Sequence, residues 1–375
     1  MSETDRRTAI ELAGMGGSRT VGNLVNTLLE AGCSVEVVTL DPSLAEPLEL
    51  EGSHLRILAG PYRQRPRHRA LDLFRAERRQ VERLLSMTSA PVVHANWTCE
   101  FALGALAAGR PTVVTARDAP LTILRYMPDA YRAVRALMSV GTRLRLRSLT
   151  ANSPYLAAAW RRQMLYRRAI AVIPNIVAPV AGSVDRSGES LPPRILDVTD
   201  VGRRKNVTGL LRAMKLILGS HPDAGLRIAG NGLTPGSEPA RLAEDLGLGH
   251  AVAFLGYLDT DRLREEYSSA TVFAHASLEE SFGMTVAEAM SHGLPVIGGS
   301  RAGAIPWVLD GGRAGLLADS SRPVEIAHAV CRLLDDARLR ARIGKAGRNR
   351  VETAFSPARL GPEWLETYDR LARKG

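Results

Sequence analysis

The chain has 375 residues, 45% of them hydrophobic and 23% charged, which is length and apolar content enough for two domains, each with its own core. It holds no run of about 18 apolar residues, and the opening MSETDRRTAI lacks the order of a secretory leader, so a membrane-spanning or exported protein is not expected. Cys33, Cys99 and Cys331 are odd in number and far apart, which argues against a disulfide scaffold and for a reducing cytoplasm. The net charge of +10 is uneven. Residues 1–180 carry 24 arginines against 15 acids, a balance of +9, while the remainder carries 25 cations against 24 acids. That asymmetry points to an anionic partner for the first half.

Short apolar runs alternate with helix-length amphipathic stretches, the pattern of α/β units with parallel sheets. In the first half the pattern predicts strands at Thr8–Leu12, Val35–Thr39, Leu55–Leu58, Val92–His94, Thr112–Thr115 and Ala169–Ile173. Helices fit at Val21–Glu30, Leu71–Leu85, Phe101–Ala108 and Pro154–Tyr166, the last capped by Asn152. The segment 177–193, VAPVAGSVDRSGESLPP, is rich in Pro, Gly and Ser and reads as an interdomain linker. A second series follows, with strands at Arg194–Val198, Leu226–Ala229, Val252–Phe254, Thr271–Ala274 and Pro295–Ile297. The expected domains are 1–176, 194–355 and a C-terminal helix over 356–375 that packs back on the first. Open parallel sheets bind ligands beyond the carboxyl ends of their strands, so two such domains are expected to face each other across a ligand cleft.

The loop SLEESFG and the helix MTVAEAMSH follow one of these strands, with Glu280 in the loop and Glu288 in the helix. Gly283 lets backbone N–H groups approach a ligand, and the helix dipole there favours a phosphate. Carboxylates beside such a site suit sugar and ribose hydroxyls, which donate to them with charge assistance. The run Glu280-Ser281-Phe282-Gly283, then Glu288-Ala289-Met290 and Gly293-Leu294-Pro295-Val296, resembles the E-x7-E motif of the retaining glycosyltransferases of family 4. That resemblance implies a GT-B fold, α/β with two Rossmann-like domains, and a nucleoside diphosphate sugar as donor. It implies that Glu280 contacts the transferred sugar and Glu288 the nucleotide ribose, with Phe282, Gly283 and Met284 at the donor.

VTDVGRRKNVTGLL, 198–211, is similar to the family's diphosphate-binding segment, with Lys205 as its Lys. Asp200 stands five residues earlier, where the family has Arg, so Arg203 or Arg204 must supply the second charge. AGNG at 229–232 resembles the loop near the base, which implicates Gly230. AGMGGSRT at 13–20 does not keep the G-x-G-x-x-G spacing, and Gly16 and Gly17 take the family's donor-facing loop role instead. HANWTCE and TARDAP place Asn96 and Arg117 where the family commonly has His. Arg117 is then expected to offer a permanent cation to the diphosphate, and Asp118 to orient it or, with Asn96, to meet the acceptor.

The resemblance implies retaining hexosyl transfer to a glycan or lipid-linked acceptor in cell-surface polysaccharide or glycoconjugate synthesis. A sugar-nucleotide epimerase or phosphorylase on the same fold, and a non-catalytic glycan- or nucleotide-binding protein, stay open. The scattered histidines give no metal-site spacing, so no metal or other cofactor is expected. No nucleic-acid motif accompanies the basic stretches 62–69, 75–80, 143–147 and 160–168. These arginines, with Trp160 and Met164 one turn apart, are expected to dock the protein reversibly on the anionic inner face of the plasma membrane.

Overall fold

The apolar runs become parallel strands because both of their faces are covered, which leaves no polar alternation to keep. The computed structural model describes residues 19–180 and 192–373; the strand expected at Thr8–Leu12 and the Gly16–Gly17 loop lie outside them. The chain divides into two units, one reaching to Ile176 and resuming at Pro357, the other spanning Val177–Ser356.

In the first unit, β1 (Val35–Asp41) pairs in parallel with β3 (Leu55–Pro61), and β2 (Leu48–Glu51) lies antiparallel on β3's other edge. A second, four-stranded parallel sheet runs β4 (Val93–Asn96), β5 (Thr112–Ala116), β6 (Ser148–Ala151), β7 (Ile170–Val172). The helix expected over 71–85 is two helices, Pro66–Leu71 and Arg75–Ser86. Leu73 and Phe74 between them take left-handed backbone, which swings the fully buried Phe74 ring into a cluster with Cys99, Leu103 and Met138. Helix Pro154–Gln163 is capped by Ser153, whose side chain accepts from the Leu156 N–H at 3.1 Å, and not by Asn152. The helix Pro357–Ala372 belongs to this unit. Its Leu360 and Trp364 pack with Leu24, Leu28, Ile173 and Ile176, and Tyr368 Oη lies 2.8 Å from His94 Nδ1.

The second unit is a six-stranded, all-parallel sheet in the order β10-β9-β8-β11-β12-β13. Its strands are β8 (Arg194–Val198), β9 (Gly225–Ala229), β10 (Val252–Gly256), β11 (Val272–Ala274), β12 (Val296–Gly299) and β13 (Leu316–Ala318). Successive residues of β8 serve opposite faces: Ile195 packs with the helices Val207–Ile217 and Pro323–Asp335, Leu196 with the helix Met284–Ser291. Val177, expected in a linker, is buried in this unit, and its N–H donates to the Phe355 carbonyl at 2.9 Å.

Gly230, just past β9, has φ of 144°, and a Cβ there would stand 1.5 Å from the Thr199 carbonyl oxygen. Neither backbone can yield without breaking the parallel pairing of β8 with β9. Gly230→Ala is therefore expected to destabilise the second unit by about 3 kcal/mol, the upper end of overpacking costs, seen as a lower thermal unfolding midpoint by circular dichroism.

Candidate functional site

From β8 the chain steps outward to β9 and β10, then returns to the other side of β8 to lay down β11, β12 and β13. The direction reverses between β8 and β11, and open parallel sheets bind ligands at the carboxyl ends of the strands flanking such a point. The loop after β8 carries Arg203, Arg204 and Lys205 in a single 3-10 turn. The loop after β11 carries His275, Ser277, Glu279 and Glu280. Seventy-five residues apart in sequence, the two loops are pinned together. The Leu278 N–H donates to the Arg204 carbonyl at 2.8 Å, and the Asn206 amide donates to the carbonyls of Ala276 at 3.1 Å and Ser320 at 2.7 Å.

Glu280 is the centre of this arrangement and is 7% exposed. Its Oε1 accepts from Lys205 Nζ at 2.6 Å and Ser277 Oγ at 2.8 Å, and lies 3.1 Å from His275 Nε2. Arg204 reaches the carbonyl and carboxylate of Glu279 at 2.9 and 3.1 Å and lies 3.7 Å from Glu280 Oε2. Burial alone would raise the pKa of Glu280, but the charge of Lys205, the His275 bond and charge, and Arg204 hold it well below the ordinary carboxylate value. Burial opposes a charge on His275 too. Asp197, its Oδ1 2.9 Å from Nδ1, and Glu280 overcome that and raise it to about 9.

The remaining expected residues fall into different environments. Gly283 begins the helix Met284–Ser291 with φ of 91°, and no side chain caps the helix there. Met284 is half-buried beside it. Glu288 is half-buried on the same helix and accepts from Tyr267 Oη at 3.2 Å. The Phe282 side chain is core, edge-on to Phe355 at 5.2 Å, so any donor contact at this position falls to the backbone. Arg203 is exposed at the start of its turn. Asp200, the departure from the family pattern, accepts from the Asn231 N–H at 3.3 Å and so ties the loop after β8 to the one after β9.

In the first unit, Arg117 donates to Asn96 Oδ1 through Nε at 3.1 Å and through its terminal nitrogen at 2.5 Å, and also to Asn175 Oδ1. Burial lowers its pKa to about 10, which still leaves it charged at neutral pH. Asn96 thus serves as a partner of Arg117. Asp118 is half-buried, and its carbonyl accepts from Trp160 Nε1 at 3.0 Å. Trp160 is fully buried and Met164 nearly so, so this pair is core and cannot serve as a docking anchor. Part of the basic stretch 62–69 is also internal. Arg63 pairs with Glu77 at 2.6 Å and Asp72 at 2.8 Å, and the Arg69 guanidinium covers the Tyr62 ring at 4.2 Å.

His275, Asp197, Ser277 and Glu279 were not among the expected site residues. Asp197 reads as a polar interruption in the apolar strand RILDV, and His275 as another in TVFAHA; these two polar breaks in apolar runs were the available signal.

The site is thus a carboxylate in a cage of cations and a hydroxyl, set at the switch point of a parallel sheet. Two family models match, Glycosyltransferase Family 4 over residues 15–179 and Glycosyl transferases group 1 over residues 187–350. The lipopolysaccharide core biosynthesis glycosyltransferase LpsD of Rhizobium meliloti is 30% identical over 261 residues, 67% of this chain and 73% of that one. This chain belongs to glycosyltransferase family 4. A D-inositol 3-phosphate glycosyltransferase of Corynebacterium kroppenstedtii is 35% identical over 184 residues, 47% of this chain, and the match spans only 40% of that relative's length. Among solved structures, sucrose-phosphate synthase from Thermosynechococcus elongatus superposes with a TM-score of 0.75 at 23% identity over 95% of this chain and 93% of that one. HepE of Anabaena, in complex with UDP and glucose, gives 0.67 at 19% identity over 84% and 86%. These neighbours place the α/β fold in the GT-B class.

The charges of the site set a pH window. The depressed Glu280 contributes stability that is present above about pH 4.5, its ordinary value, and is lost as pH falls. The raised His275 contributes stability that is full below about 6.5 and is lost as pH rises through about 9. Unfolding midpoints followed from pH 4 to 10 should therefore decline on the alkaline side in the wild type, and decline less in His275→Gln.

Proposed function

We propose that this protein is a retaining glycosyltransferase that moves a hexosyl group from a nucleoside diphosphate sugar to a hydroxyl of a glycan or lipid-linked acceptor. The observation that carries the proposal is the convergence of Glu280, Lys205 and Arg204 at the sheet's switch point. Lys205 and the neighbouring arginines supply positive charge where a leaving diphosphate develops negative charge, the kind of preorganised electrostatics that dominates catalysis. The uncapped N–H groups at Gly283 and Met284 suit a phosphate oxygen as well. With these cations in place the reaction is proposed to need no metal, so activity should survive EDTA. Gly230, and Gly16 and Gly17 outside the described residues, are assigned to the donor on the family pattern, as is Arg117.

In this reading the sugar's anomeric carbon loses its bond to the β-phosphate oxygen and gains one to the acceptor oxygen on the same face. The acceptor's proton passes to the departing phosphate. Glu280 receives the sugar hydroxyls and Glu288 those of the ribose, with charge assistance. HepE, which binds UDP and glucose, makes UDP-glucose a sensible first donor to test, and LpsD favours an acceptor on the route to a cell-surface glycoconjugate.

Glu280→Gln keeps the volume of the side chain and should abolish transfer, while Glu288→Ala should mainly raise the KM for donor. Lys205→Ala should lower kcat by about 100-fold, in line with losing one contact to developing charge. Release of nucleoside diphosphate together with a new glycoside checks all three. Wild-type kinetics in every variant would sink the assignment, and interconversion of the nucleotide sugar without transfer would favour an epimerase.

Docking on an anionic membrane remains part of the proposal, through the expected basic stretch 143–147 but with an apolar stripe beside it in place of the buried Trp160 and Met164. Helix Ala130–Arg145 buries Ala136, Met138, Ser139 and Thr142 but exposes Leu137, Val140 and Leu144, at helical spacing along its other side. Arg143 donates to the carbonyl of the exposed Leu165 at 3.2 Å, and Arg145 and Arg147 follow on the exposed surface. An apolar stripe beside arginines suits insertion into the headgroup region, where each cation adds about 1 kcal/mol. The full chain should float with phosphatidylglycerol vesicles at low salt, less so at high salt, and not with phosphatidylcholine alone. Leu137→Glu with Leu144→Glu should abolish flotation, and unaltered flotation of that variant would show the stripe is not the contact.

A further inference from the structure

The cation nearest the heart of the site is not one that the family pattern names. His275 leaves β11 with its backbone N–H bonded to the Ile297 carbonyl at 2.9 Å, and its ring lies between two carboxylates. Asp197 Oδ1, from the neighbouring strand β8, is 2.9 Å from Nδ1, and Glu280 Oε1 is 3.1 Å from Nε2. The side chains of Asp197 and His275 are 0% and 1% exposed, so water does not stand between them. An ionised carboxylate can only accept a hydrogen bond, and a neutral imidazole carries one N–H. Two carboxylates on the two ring nitrogens therefore call for a proton on each, an imidazolium.

Glu280 Oε1 is shared by two cations of unequal freedom. Lys205 Nζ sits on a flexible stem from an 18%-exposed side chain, whereas the His275 ring is anchored at both nitrogens. The cluster holds Arg204, Lys205 and His275 against Asp197, Glu279 and Glu280, so its charges balance before any ligand arrives. A diphosphate at the 203–205 turn competes with Glu280 for Lys205. A carboxylate as buried as Glu280, stripped of its cation, would take up a proton and lose its strength as an acceptor.

We propose that His275 is a positioning residue: an imidazolium fixed by Asp197, it keeps Glu280 ionised and in place while Lys205 turns to the donor diphosphate. This rests on the reading above, in which Glu280 and Lys205 handle the donor. Asp197 and Glu280 face the ring directly, with Lys205, Arg204 and Glu279 around Glu280. His275 is held by a carboxylate at each of its two ring nitrogens, and its elevation to about 9 accords with that geometry.

Two measurements on the full chain test it. In protein labelled with 15N-histidine, both ring nitrogens of His275 should be protonated at pH 7.5 and stay so until about pH 9; His275→Gln assigns the signal among the eight histidines. In Asp197→Asn the ring should become neutral at pH 7.5. In transfer assays, His275→Gln and Asp197→Asn should lower kcat by about 100-fold, the cost of a misplaced reacting group, with the donor KM within about threefold of wild type. A purely structural histidine would lower the unfolding midpoint and the folded fraction but leave kcat per folded molecule intact. A neutral ring in the wild type at pH 7.5 overturns the inference, as does unchanged kcat in folded His275→Gln. If the wild type transfers no sugar from any nucleotide donor, the functional reading fails instead, and the nitrogen spectra alone decide whether His275 carries the charge.

Discussion

A single carboxylate oxygen organises this site. Glu280 Oε1 has Lys205, Ser277 and His275 around it, all within 3.1 Å, in a pocket that leaves the residue 7% exposed. Burying one of these charges alone would cost several kcal/mol, and only their mutual pairing makes the cluster tolerable. The loops after β8 and β11 must therefore meet, and the Leu278–Arg204 backbone bond and the Asn206–Ala276 bond hold them where the charges balance, while a second bond from Asn206 ties them to Ser320 after β13. Structure and electrostatics are coupled here, because loosening either loop would strand a buried ion.

The sheet supplies the place for this pairing. Strand order reverses between β8 and β11, so the two loops leave adjacent strands while their helices depart to opposite faces of the sheet. The space beyond the strand ends is left to side chains and ligand. Close backbone approach is part of the same construction. The loop after β9 passes so near Thr199 that only glycine fits at 230, and Asp200 then clasps that loop through Asn231. A residue that departs from the family's charge pattern thus has a local structural task, while the cations come from the turn that follows it.

The arginine excess of the first half has a double meaning. Arg63 and Arg135 are tied to the buried carboxylates Glu77 and Glu100, and Arg110 donates to the carbonyls of Leu85 and Ala90. Arg117 is satisfied by two asparagine oxygens. Net charge counts all of these equally, yet a cation committed to an internal partner contributes little to attracting a membrane. Among the arginines that stay exposed are Arg145 and Arg147, beside the apolar stripe of helix Ala130–Arg145. The sequence reading covered that helix only at its basic end, the run 143–147.

The sequence by itself carried the α/β class and offered Glu280, Glu288 and Lys205 as motif residues, because alternating apolar runs and short contiguous motifs are local properties of a chain. It also marked most strands of the parallel sheets, whose both-face burial produces runs that need no partner to be seen. The short β2, β6 and β13 left too little pattern, and the break at Leu73–Phe74 depends on a cavity that only Cys99, Leu103 and Met138 create. Trp160 looked like a surface anchor because its arginine neighbours are local, while its burial is set by strands and helices elsewhere in the unit. Only the tertiary structure could show that Asp197, 78 residues away in sequence, meets His275 at one ring nitrogen while Glu280 meets it at the other. The pairing of buried charges is decided by which strands become neighbours, and strand order is not written in any local stretch of sequence.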